Sequence, residues 1–483
     1  MGQDRMLELV ATLFRRLSAD SVSYVHWKSN EHLPAALRGE TDLDLLIDPG
    51  HRSAFLAIID ELGFVPMQPP KLRSIPDLDS YLGFDIDTGS LVHLDVHYRL
   101  VLGAQLIKNH HLPVEEWLLS SPATLEEVQV PRHERELLML YIRAMLKTTN
   151  RQLARSILKG GSPLPDRIRV EAHWLAGLVD PDELSAAVES SGLGLTVEEV
   201  TEFRSRSLDG RFDWRYVSEQ ARTVRRRLAR FERLPRHRAL PKKAWLRFRS
   251  GRVMKRLGMG IPPRHLAGPA PMIAAVGADG SGKTRLTRDL EDWLGRKLMV
   301  HHIYFGQPKS GFFFKLLNKP GSVARGRAEQ GSAGVIGAVS RYTDALKWLA
   351  LARKRRRLAR HGREAARRGE VVLAERFPLP EFFSMATPMD GPRLQPDQPF
   401  AGAELRQYRA IDLPDLTLVL KTSLQTLRDR KLDLTVEEHT AKVAAVETLQ
   451  AGERRIVIDA GHPYQQVLLE AQTVIWKALR ESR

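Results

Sequence analysis

The chain has 483 residues, a formal net charge of +16 and no cysteine. This length is too great for one compact core, so roughly two or three domains are expected. The absence of cysteine excludes disulfides and Cys-ligated metals, and it fits a reducing cytoplasm without requiring one. The positive charge favours an anionic partner, which leaves nucleotides, phosphorylated sugars, nucleic acids and acidic lipid surfaces open.

The first predicted element is an amphipathic helix from Met6 to Leu17, with Asp4 and Glu8 in its opening turns. Acidic residues at this place are not typical of a signal peptide. No uncharged apolar run approaches the ~18 residues of a membrane span. We therefore expect a cytoplasmic protein, and peripheral contact with the inner membrane face is left open.

Two carboxylates, Asp42 and Asp44, alternate with leucines in a predicted strand, so they share one face of it. Two further strands are expected to pair around the Thr88-Gly89 turn, and the second carries Asp95 on its polar face. Hard oxygen ligands on neighbouring strands suit Mg²⁺, which can activate a hydroxyl and stabilise a departing pyrophosphate. The alternative is a half-exposed strand with ordinary outward polar residues.

This segment resembles the nucleotidyltransferase superfamily, in which a small-residue turn precedes an Asp-x-Asp pair and a distant third Asp. The matching positions are Ser29, Gly39, Asp42, Asp44 and Asp95. A family of uncharacterised bacterial nucleotidyltransferase-like proteins has a segment similar to Leu94-Asp95-Val96-His97-Tyr98-Arg99. The resemblance implies an α+β nucleotidyltransferase-like domain over residues 1–125, with the three aspartates as metal ligands. Lys28 departs from the pattern, because it stands where a glycine is usual, and it is a candidate source of positive charge.

Two histidines, His93 and His97, lie on the same predicted strand face as Asp95. Such a set is one way to bind zinc. Hydrogen-bonded or solvated strand histidines are more common, and this is the arrangement that we expect.

The middle of the chain is predicted to be helical. Residues 126–230 form a helical extension in which no catalytic constellation is evident, so packing is its expected role. Residues 231–268 form a basic linker, broken by prolines, that carries Trp245 and Phe248 among its cations. A solvated linker is the commonest reading of such a segment. Contact with anionic lipid headgroups and contact with nucleic acid are the functional alternatives.

A G-x-x-x-x-G-K-T motif spans residues 277–284, between the apolar run Met272–Val276 and a segment with leucines at helical spacing. Strand, glycine-rich turn and helix are the context that a phosphate-binding loop requires, whereas the alternative is a purely structural turn with a surface lysine. In such a loop Lys283 reaches the β- and γ-phosphates, and the Thr284 hydroxyl binds Mg²⁺. The predicted nucleotide-binding residues of this motif are Gly277, Asp279, Gly280, Ser281, Gly282, Lys283 and Thr284.

A parallel α/β pattern continues beyond the motif. A strand is predicted at residues 300–305, and Lys309 after it is a candidate acceptor contact, since strand carboxyl ends face the ligand crevice. A long helix is expected from about Val339 to Arg368, with Leu346, Leu349 and Leu351 inside and the cations at 354–357 outside. Residues 369–377 form a buried strand whose terminal charges are costly unless they meet a ligand or Mg²⁺. Further strands are expected at 416–420 and 456–459.

Roughly the last two hundred residues resemble thymidylate kinase and its relatives. Asp-Gly-Ser in the loop has that family's form, and Glu375-Arg376-Phe377 stands where the family has Asp-Arg-Tyr or Asp-Arg-His. The resemblance implies a doubly wound parallel sheet over residues 269–483, with ATP and Mg²⁺ as cofactors. It places Glu375 near Mg²⁺ and the acceptor, and it makes Arg376 a clamp on the acceptor phosphate. It also implies lid cations over the triphosphate and an adenine contact in the last strand, at Arg428, Arg430, Lys431 and Asp459.

The chain departs from that family at three places. Glu375 replaces Asp, Phe377 removes a hydroxyl or imidazole, and Gln307-Pro308 stands for Arg-Glu-Pro. Divergent domains of this kind occur in bacterial surface-polysaccharide gene sets, so the expected acceptor is a nucleoside monophosphate or a sugar-type hydroxyl. The predicted catalytic residues are Lys283, Glu375, Arg376 and Arg430.

Three functional hypotheses follow from the sequence. The first is an ATP- and Mg²⁺-dependent phosphotransferase in the C-terminal part. The second is a nucleotidyltransferase acting through the N-terminal aspartates. The third is a nucleic-acid-binding or end-processing protein, ranked last because aromatic and basic residues are not interleaved as in a stacking platform. A homodimer is left open.

Overall fold

The computed structural model describes residues 5–70, 74–104, 106–256, 263–306, 333–383, 389–430 and 435–482. The chain separates into two compact units, Met1–Arg264 and His265–Arg483. The finer division of the first unit into a nucleotidyltransferase-like domain, a helical extension and a linker remains a prediction. Across the ranges just given, no helix is both long enough and apolar enough to cross a membrane.

The first part of unit one combines a sheet with short helices. The strands β1, β2, β5, β4 and β3 lie side by side in that order; β2 and β5 are parallel, and the other neighbours are antiparallel. The predicted hairpin at Thr88-Gly89 joins β4 to β5, and the register of β2 against β5 places Asp44 directly opposite Asp95. The elements are α1 (Glu8–Ala19), β1 (Tyr24–His26), α2 (Leu33–Leu37), β2 (Leu43–Ile47), α3 (Arg52–Glu61), β3 (Val65–Gln68), β4 (Leu78–Phe84), β5 (Leu91–His97), β6 (Leu100–Ala104), β7 (Ile107–Leu112), α4 (Glu115–Leu119), β8 (Ala123–Leu125) and β9 (Val128–Val130).

The core of this part lies between the sheet and the helices α1 and α3. Leu13 and Phe14 of α1 and Phe55 of α3 are buried in one cluster with Leu45 and Leu94 of the sheet. Each buried side chain of this size stabilises the fold by ~1.5–3 kcal/mol. The opposite face of β2 and β5 is therefore the one that carries the aspartates.

A bundle of helices follows in the same unit. Its central helix, α5, is buried on nearly all sides, as expected of a helix surrounded by others. Capping boxes begin α6, at Thr149 and Gln152, and α9, at Thr196 and Glu199, and fix where these helices start. The helices are α5 (His133–Lys147), α6 (Asn150–Lys159), α7 (Asp166–Leu178), α8 (Pro181–Ser190), α9 (Val197–Asp209), α10 (Trp214–Arg227), α11 (Arg236–Arg249) and α12 (Arg252–Arg256).

The basic linker is helical rather than extended over much of its length. Pro241 is one of the prolines that were expected to interrupt regular structure in this linker, and it lies inside α11. Leu246 is buried against Ile107, whereas Trp245 and Phe248 are exposed. Leu246 is the buried residue among the described side chains of α11, and the helix presents aromatic side chains and cations to solvent.

The second unit is a mixed α/β structure built on a parallel sheet, which confirms the predicted α/β class; the doubly wound kinase assignment remains a prediction. The strand order is β12-β13-β11-β14-β15, and every neighbouring pair is parallel. The central strand, β11, leads directly into the glycine-rich motif. The elements are β10 (His265–Leu266), β11 (Met272–Gly277), α13 (Lys283–Gly295), β12 (Val300–Tyr304), α14 (Ala333–Arg367), β13 (Val371–Glu375), α15 (Ala401–Arg409), β14 (Leu416–Lys421), α16 (Leu424–Arg430), α17 (Val436–Glu447), β15 (Arg455–Asp459) and α18 (Tyr464–Glu481).

Two details of the long helix differ from the prediction. Leu346, expected inside, is 45% exposed, and Arg355, expected outside, is only 2% exposed. Arg355 is buried because it lies three or four residues from Ala352 and Ala359, so it shares their face of the helix. A cation on this face requires polar partners, which the structure supplies at the candidate site.

Candidate functional site

The glycine-rich motif turns sharply between β11 and α13. Gly280 and Gly282 have φ angles of 94° and 92°, a region that glycine enters without strain. A side chain at Gly277 would place a Cβ atom 2.7 Å from the backbone oxygen of Leu420 on the adjacent strand β14. The loop thus needs glycine for its conformation and for close strand packing. It brings backbone N–H groups to the N-terminus of a thirteen-residue helix, a setting that favours anions.

Lys283 lies inside this loop. Its Nζ donates hydrogen bonds to the backbone oxygens of Gly277, at 2.8 Å, and Ala278, at 2.7 Å. Burial, opposed by Asp279 and reinforced by the charge of Arg376, lowers the pKa of Lys283 to about 8. The ammonium is consequently held among backbone groups at the position where the sequence predicts a phosphate contact.

The motif is joined to the end of strand β13 through Thr284. Its hydroxyl donates a 2.6 Å hydrogen bond to Oε1 of the buried Glu375. The register of β11 against β13 pairs Ala275 with Glu375, which aligns the carboxylate with the start of the loop. His302 of β12 is a further neighbour of this carboxylate, with its Nε2 atom 3.8 Å from Oε2 of Glu375. A hydroxyl and a carboxylate oxygen at this distance are the kind of protein ligands that Mg²⁺ takes beside phosphates and water.

Arg376 follows Glu375 in a left-handed backbone conformation, with a φ angle of 59°. This turn directs the guanidinium to the loop, where Nη2 pairs with Asp279 Oδ1 and Nη1 lies 3.4 Å from Asp390 Oδ2. Lys442 of α17 completes the group, with Nζ at 2.6 Å from Asp279 Oδ2. Lys283 Nζ also lies 3.9 Å from Asp279 Oδ1, so three cations share one loop carboxylate.

The cations beside Asp279 determine the pKa of its carboxyl. Burial would raise the pKa of its carboxyl, but the hydrogen bond from Lys442 and the charges of Arg376 and Lys283 outweigh burial and lower the pKa to about 2. Asp279 is ionised at neutral pH, and it holds cations on both sides of the loop mouth.

Three residues of this site were missed by sequence reasoning: Asp390, Lys442 and Arg355. The buried Arg355 donates to Asp390 Oδ1 at 2.6 Å, to the Tyr408 hydroxyl at 2.7 Å and to the backbone oxygen of Phe305 at 2.7 Å. Lys442 and Arg355 each lie on the apolar face of a helix. This helical position is the sequence signal that could have identified them. Asp390 follows no regular element and offers no such signal.

A small pocket, partly open to solvent, lies beside these charges. The loop side chains Asp279 and Lys283 form one wall together with Arg376. The remaining lining residues are Val276, Gly277, Phe377, Phe382, Met389, Asp390 and Lys442. Phe377 is buried and packs edge-to-face on Phe305, so it shapes the apolar wall. The pocket therefore combines cations with an apolar surface.

The predicted lid and adenine contacts are not brought to the loop by any contact in the described part of the chain. Arg428 is exposed on α16, and Asp459 is exposed at the end of β15, where it accepts a 2.8 Å hydrogen bond from the Gly461 N–H. Lys431 and Lys309 lie outside the described residues, as does the side chain of Arg430. The roles of these residues remain predictions.

Asp44 and Asp95 lie opposite each other on β2 and β5, Asp42 directly precedes β2, and each aspartate has a basic neighbour. Lys28 Nζ lies 2.6 Å from Asp44 Oδ1, and the ring of His93 lies between Asp42 Oδ1, at 2.7 Å, and Asp95 Oδ1, at 3.3 Å. Arg264 Nη2 is 3.1 Å from Asp95. No set of three or more His, Asp or Glu side chains in the described residues is placed to hold a metal ion. The metal role of these aspartates stays a prediction.

The histidine beside them is hydrogen-bonded. Burial would lower the pKa of His93, but its hydrogen bonds to Asp42 and Asp95 outweigh burial and raise it. The same contact helps to lower the pKa of Asp95 against the effect of burial. His97 differs, since burial and the charges of Lys28 and Lys108 lower its pKa to about 3. The pKa values of the two histidines that the sequence groups together are therefore shifted in opposite directions.

Comparison with known proteins gives distant relatives. The chain is 26% identical over 235 residues to the uncharacterised ATP-binding protein YghR of Escherichia coli strain K12, a match that covers 44% of this chain and 88% of YghR. It is 28% identical over 233 residues to the uncharacterised ATP-binding protein YghS of the same strain, covering 44% of this chain and 94% of YghS. No protein-family model matches the chain.

Proposed function

We propose that the second unit is an ATP- and Mg²⁺-dependent phosphotransferase of the thymidylate kinase-like class. The observation that carries this proposal is the convergence of the phosphate loop, the Thr284–Glu375 pair and Arg376 at one end of a parallel sheet. The names of the two E. coli relatives, both described as ATP-binding, support the nucleotide part of it. The acceptor is a nucleoside monophosphate or a sugar-type hydroxyl.

The charges of the site suit phosphoryl transfer, in which positioning and charge neutralisation provide most of the catalysis. The loop N–H groups and Lys283 hold the β- and γ-phosphates. Thr284 and Glu375 would hold Mg²⁺, which neutralises phosphate oxygens when it is bound. Arg376, fixed by Asp279 and Asp390, supplies positive charge on the acceptor side.

The chemistry of the residues that line the pocket suits an acceptor that bears a ring. Phe377 and Phe382 form an apolar wall next to the guanidinium of Arg376. A base or a sugar ring can pack on such a wall while its phosphate or hydroxyl faces the cations. This combination also fits a role in surface-polysaccharide assembly, where the acceptor carries a sugar.

The test is a screen of ATP consumption by the full chain against nucleoside monophosphates, sugars and sugar phosphates. We expect at least one acceptor to stimulate turnover, and we expect Lys283→Ala to lower kcat/KM by about a hundredfold or more, since a charge contact to the transferred group is lost. Lys477→Ala, on the exposed surface of α18, is the matched control. Unchanged turnover in Lys283→Ala would overturn the proposal.

Nucleotidyl transfer by the first unit is the alternative, and the same variants separate the two activities. Release of pyrophosphate from labelled ATP or CTP is measured in Lys283→Ala and in Asp44→Ala. Pyrophosphate release that survives the first substitution and disappears in the second would assign the activity to the first unit.

A further inference from the structure

The helix α11 has an exposed apolar stripe on the side that faces away from its buried residue, Leu246, which packs on Ile107. Leu240, Ala244 and Phe248 follow one another at intervals of one helical turn, and two neighbours extend the same face. The stripe consists of five exposed residues, namely Leu240, Pro241, Ala244, Trp245 and Phe248. Its first member, Leu240, is 64% exposed.

Cations lie along both edges of this stripe. Lys243 and Arg247, one turn apart, follow the edge beside Leu240. The edge beside Trp245 carries Arg238, Lys242 and Arg249. The guanidinium of Arg249 lies 5.6 Å from the centroid of the Trp245 ring. Residues 236–249 contain six lysine and arginine residues and no acidic residue, so the helix has an apolar centre and cationic margins.

The contacts of α11 with β7 hold this helix on the first unit. Asn109 of β7 donates a 2.9 Å hydrogen bond to the backbone oxygen of Leu234 and accepts a 3.0 Å hydrogen bond from the Leu234 N–H. The Arg233 N–H donates to the backbone oxygen of Asn109 at 2.7 Å. Together with Leu246, these contacts fix α11 just before its first turn and near its last. The helix is formed without a partner, so binding through the stripe costs little ordering entropy.

The arrangement of apolar and charged residues distinguishes among the partners that such a surface could bind. In a nucleic-acid site the cations follow the phosphates across the contact surface and aromatic rings stack on bases. On α11 the cations instead border a stripe that is both aliphatic and aromatic. A second copy of the chain, in a two-fold contact, would bring the same six cations against each other. An anionic bilayer offers an apolar layer for the stripe and phosphate groups for its margins.

We propose that α11 binds an anionic lipid bilayer and lies parallel to its surface, with Leu240, Trp245 and Phe248 inserted below the phosphate groups. The long aliphatic stems of the flanking lysines and arginines allow their charged ends to reach those phosphates. The indole of Trp245, which has an apolar body and one polar N–H, suits the boundary between headgroups and acyl chains. This surface belongs to the first unit, and its role is independent of phosphoryl transfer.

The first test measures the insertion of Trp245. Phosphatidylglycerol brominated on its acyl chains quenches the fluorescence of tryptophans that reach the chains, and the protein has eight tryptophans. We expect vesicles of this lipid to quench part of the fluorescence of the full chain. We expect that part to disappear in Trp245→Phe, although this variant still floats with the vesicles. An equal decrease of fluorescence in the two proteins would overturn the proposal.

The second test separates apolar insertion from attraction between charges. The double variant Leu240→Gln, Phe248→Gln keeps every cation of α11, and we expect its partition coefficient for phosphatidylglycerol vesicles to fall about tenfold or more, because two apolar side chains are lost from the bilayer. Val170→Gln, Leu178→Gln is the matched control, since these residues of α7 have the same spacing and are 54% and 49% exposed. The control should partition like the wild type. Because all four positions are exposed, both variants should also unfold at the wild-type temperature.

The remaining outcomes identify another role for α11. Equal partitioning of the two double variants, or a wild-type protein that does not float with the vesicles, would overturn the proposal. Salt-sensitive binding of random single-stranded DNA by a protein that does not bind vesicles would assign the cations to a nucleic acid. A dimer that is lost in Leu240→Gln, Phe248→Gln, again without vesicle binding, would assign the stripe to a second copy of the chain.

Discussion

Thr284 and Glu375 are ninety-one positions apart in the chain, yet the Thr284 hydroxyl donates a 2.6 Å hydrogen bond to the Glu375 carboxylate. The contact exists because β11 and β13 are adjacent and parallel, so the end of β13 and the start of α13 lie at the same edge of the sheet. The hydroxyl at the end of the glycine-rich motif is thereby fixed to a carboxylate.

Substitution of Glu375 tests this pair. Glu375→Gln keeps the size of the side chain and its hydrogen bond but removes the charge, so we expect ATP turnover to fall about a hundredfold and the Mg²⁺ concentration for half-maximal rate to rise. The measurement is turnover as a function of Mg²⁺ concentration. Glu364→Gln, exposed on α14, is the control. A Glu375→Gln protein with wild-type Mg²⁺ dependence would rule out a metal role for this carboxylate.

Asp279 provides a pH-dependent prediction. Its folded-state pKa of about 2 is below the value of an unfolded aspartate, so its stabilising effect is present above about pH 4 and is lost as the pH falls through 2. Asp279→Asn is expected to lower the free energy of unfolding by about 2 kcal/mol at pH 7 and by progressively less between pH 4 and 2. Chemical denaturation across this pH range is the measurement. A difference between the two proteins that stays constant over the range would contradict the ion-pair account.

The sequence predicts the phosphate loop and the parallel sheet because both depend on local patterns. Gly277 to Thr284 carries its own spacing, and the apolar strands are short runs bounded by turns. The direct opposition of Asp44 and Asp95 comes from the pairing of β2 with β5, but alternation alone assigns each of them to the polar face of its strand.

The partners of the site residues could not be predicted in this way. Lys442 reaches Asp279 across 163 positions, and Asp390 meets Arg355 and Arg376 from a segment without regular structure. Such contacts depend on how helices pack, which local spacing does not specify. The run of cations around Arg355 predicts an exposed position, whereas its helical phase beside Ala352 and Ala359 indicates the buried face.

The buried Arg355 gives a prediction about stability and function together. Arg355→Met preserves much of the side-chain volume but leaves Asp390 without its 2.6 Å partner, so we expect a loss of about 3 kcal/mol in the free energy of unfolding. Because Asp390 also holds Arg376, the KM for the acceptor should rise. Arg356→Met is the matched control, since Arg356 is the next residue in the helix and its side chain is exposed. Equal losses of stability in the two variants would contradict the assigned role of Arg355.

The exposed face of α11 tests the membrane contact that the sequence left open. Trp245 and Phe248 are 47% and 62% exposed beside the cations of the same helix, the composition of a segment that binds anionic headgroups. We expect the full chain to sediment with phosphatidylglycerol vesicles but not with phosphatidylcholine vesicles, and less so at high salt. A Trp245→Glu, Phe248→Glu double variant should lose most of this binding. Leu158→Glu, on α6 where the side chain is 83% exposed, should retain it; equal sedimentation of all three proteins would assign α11 to a solvated linker.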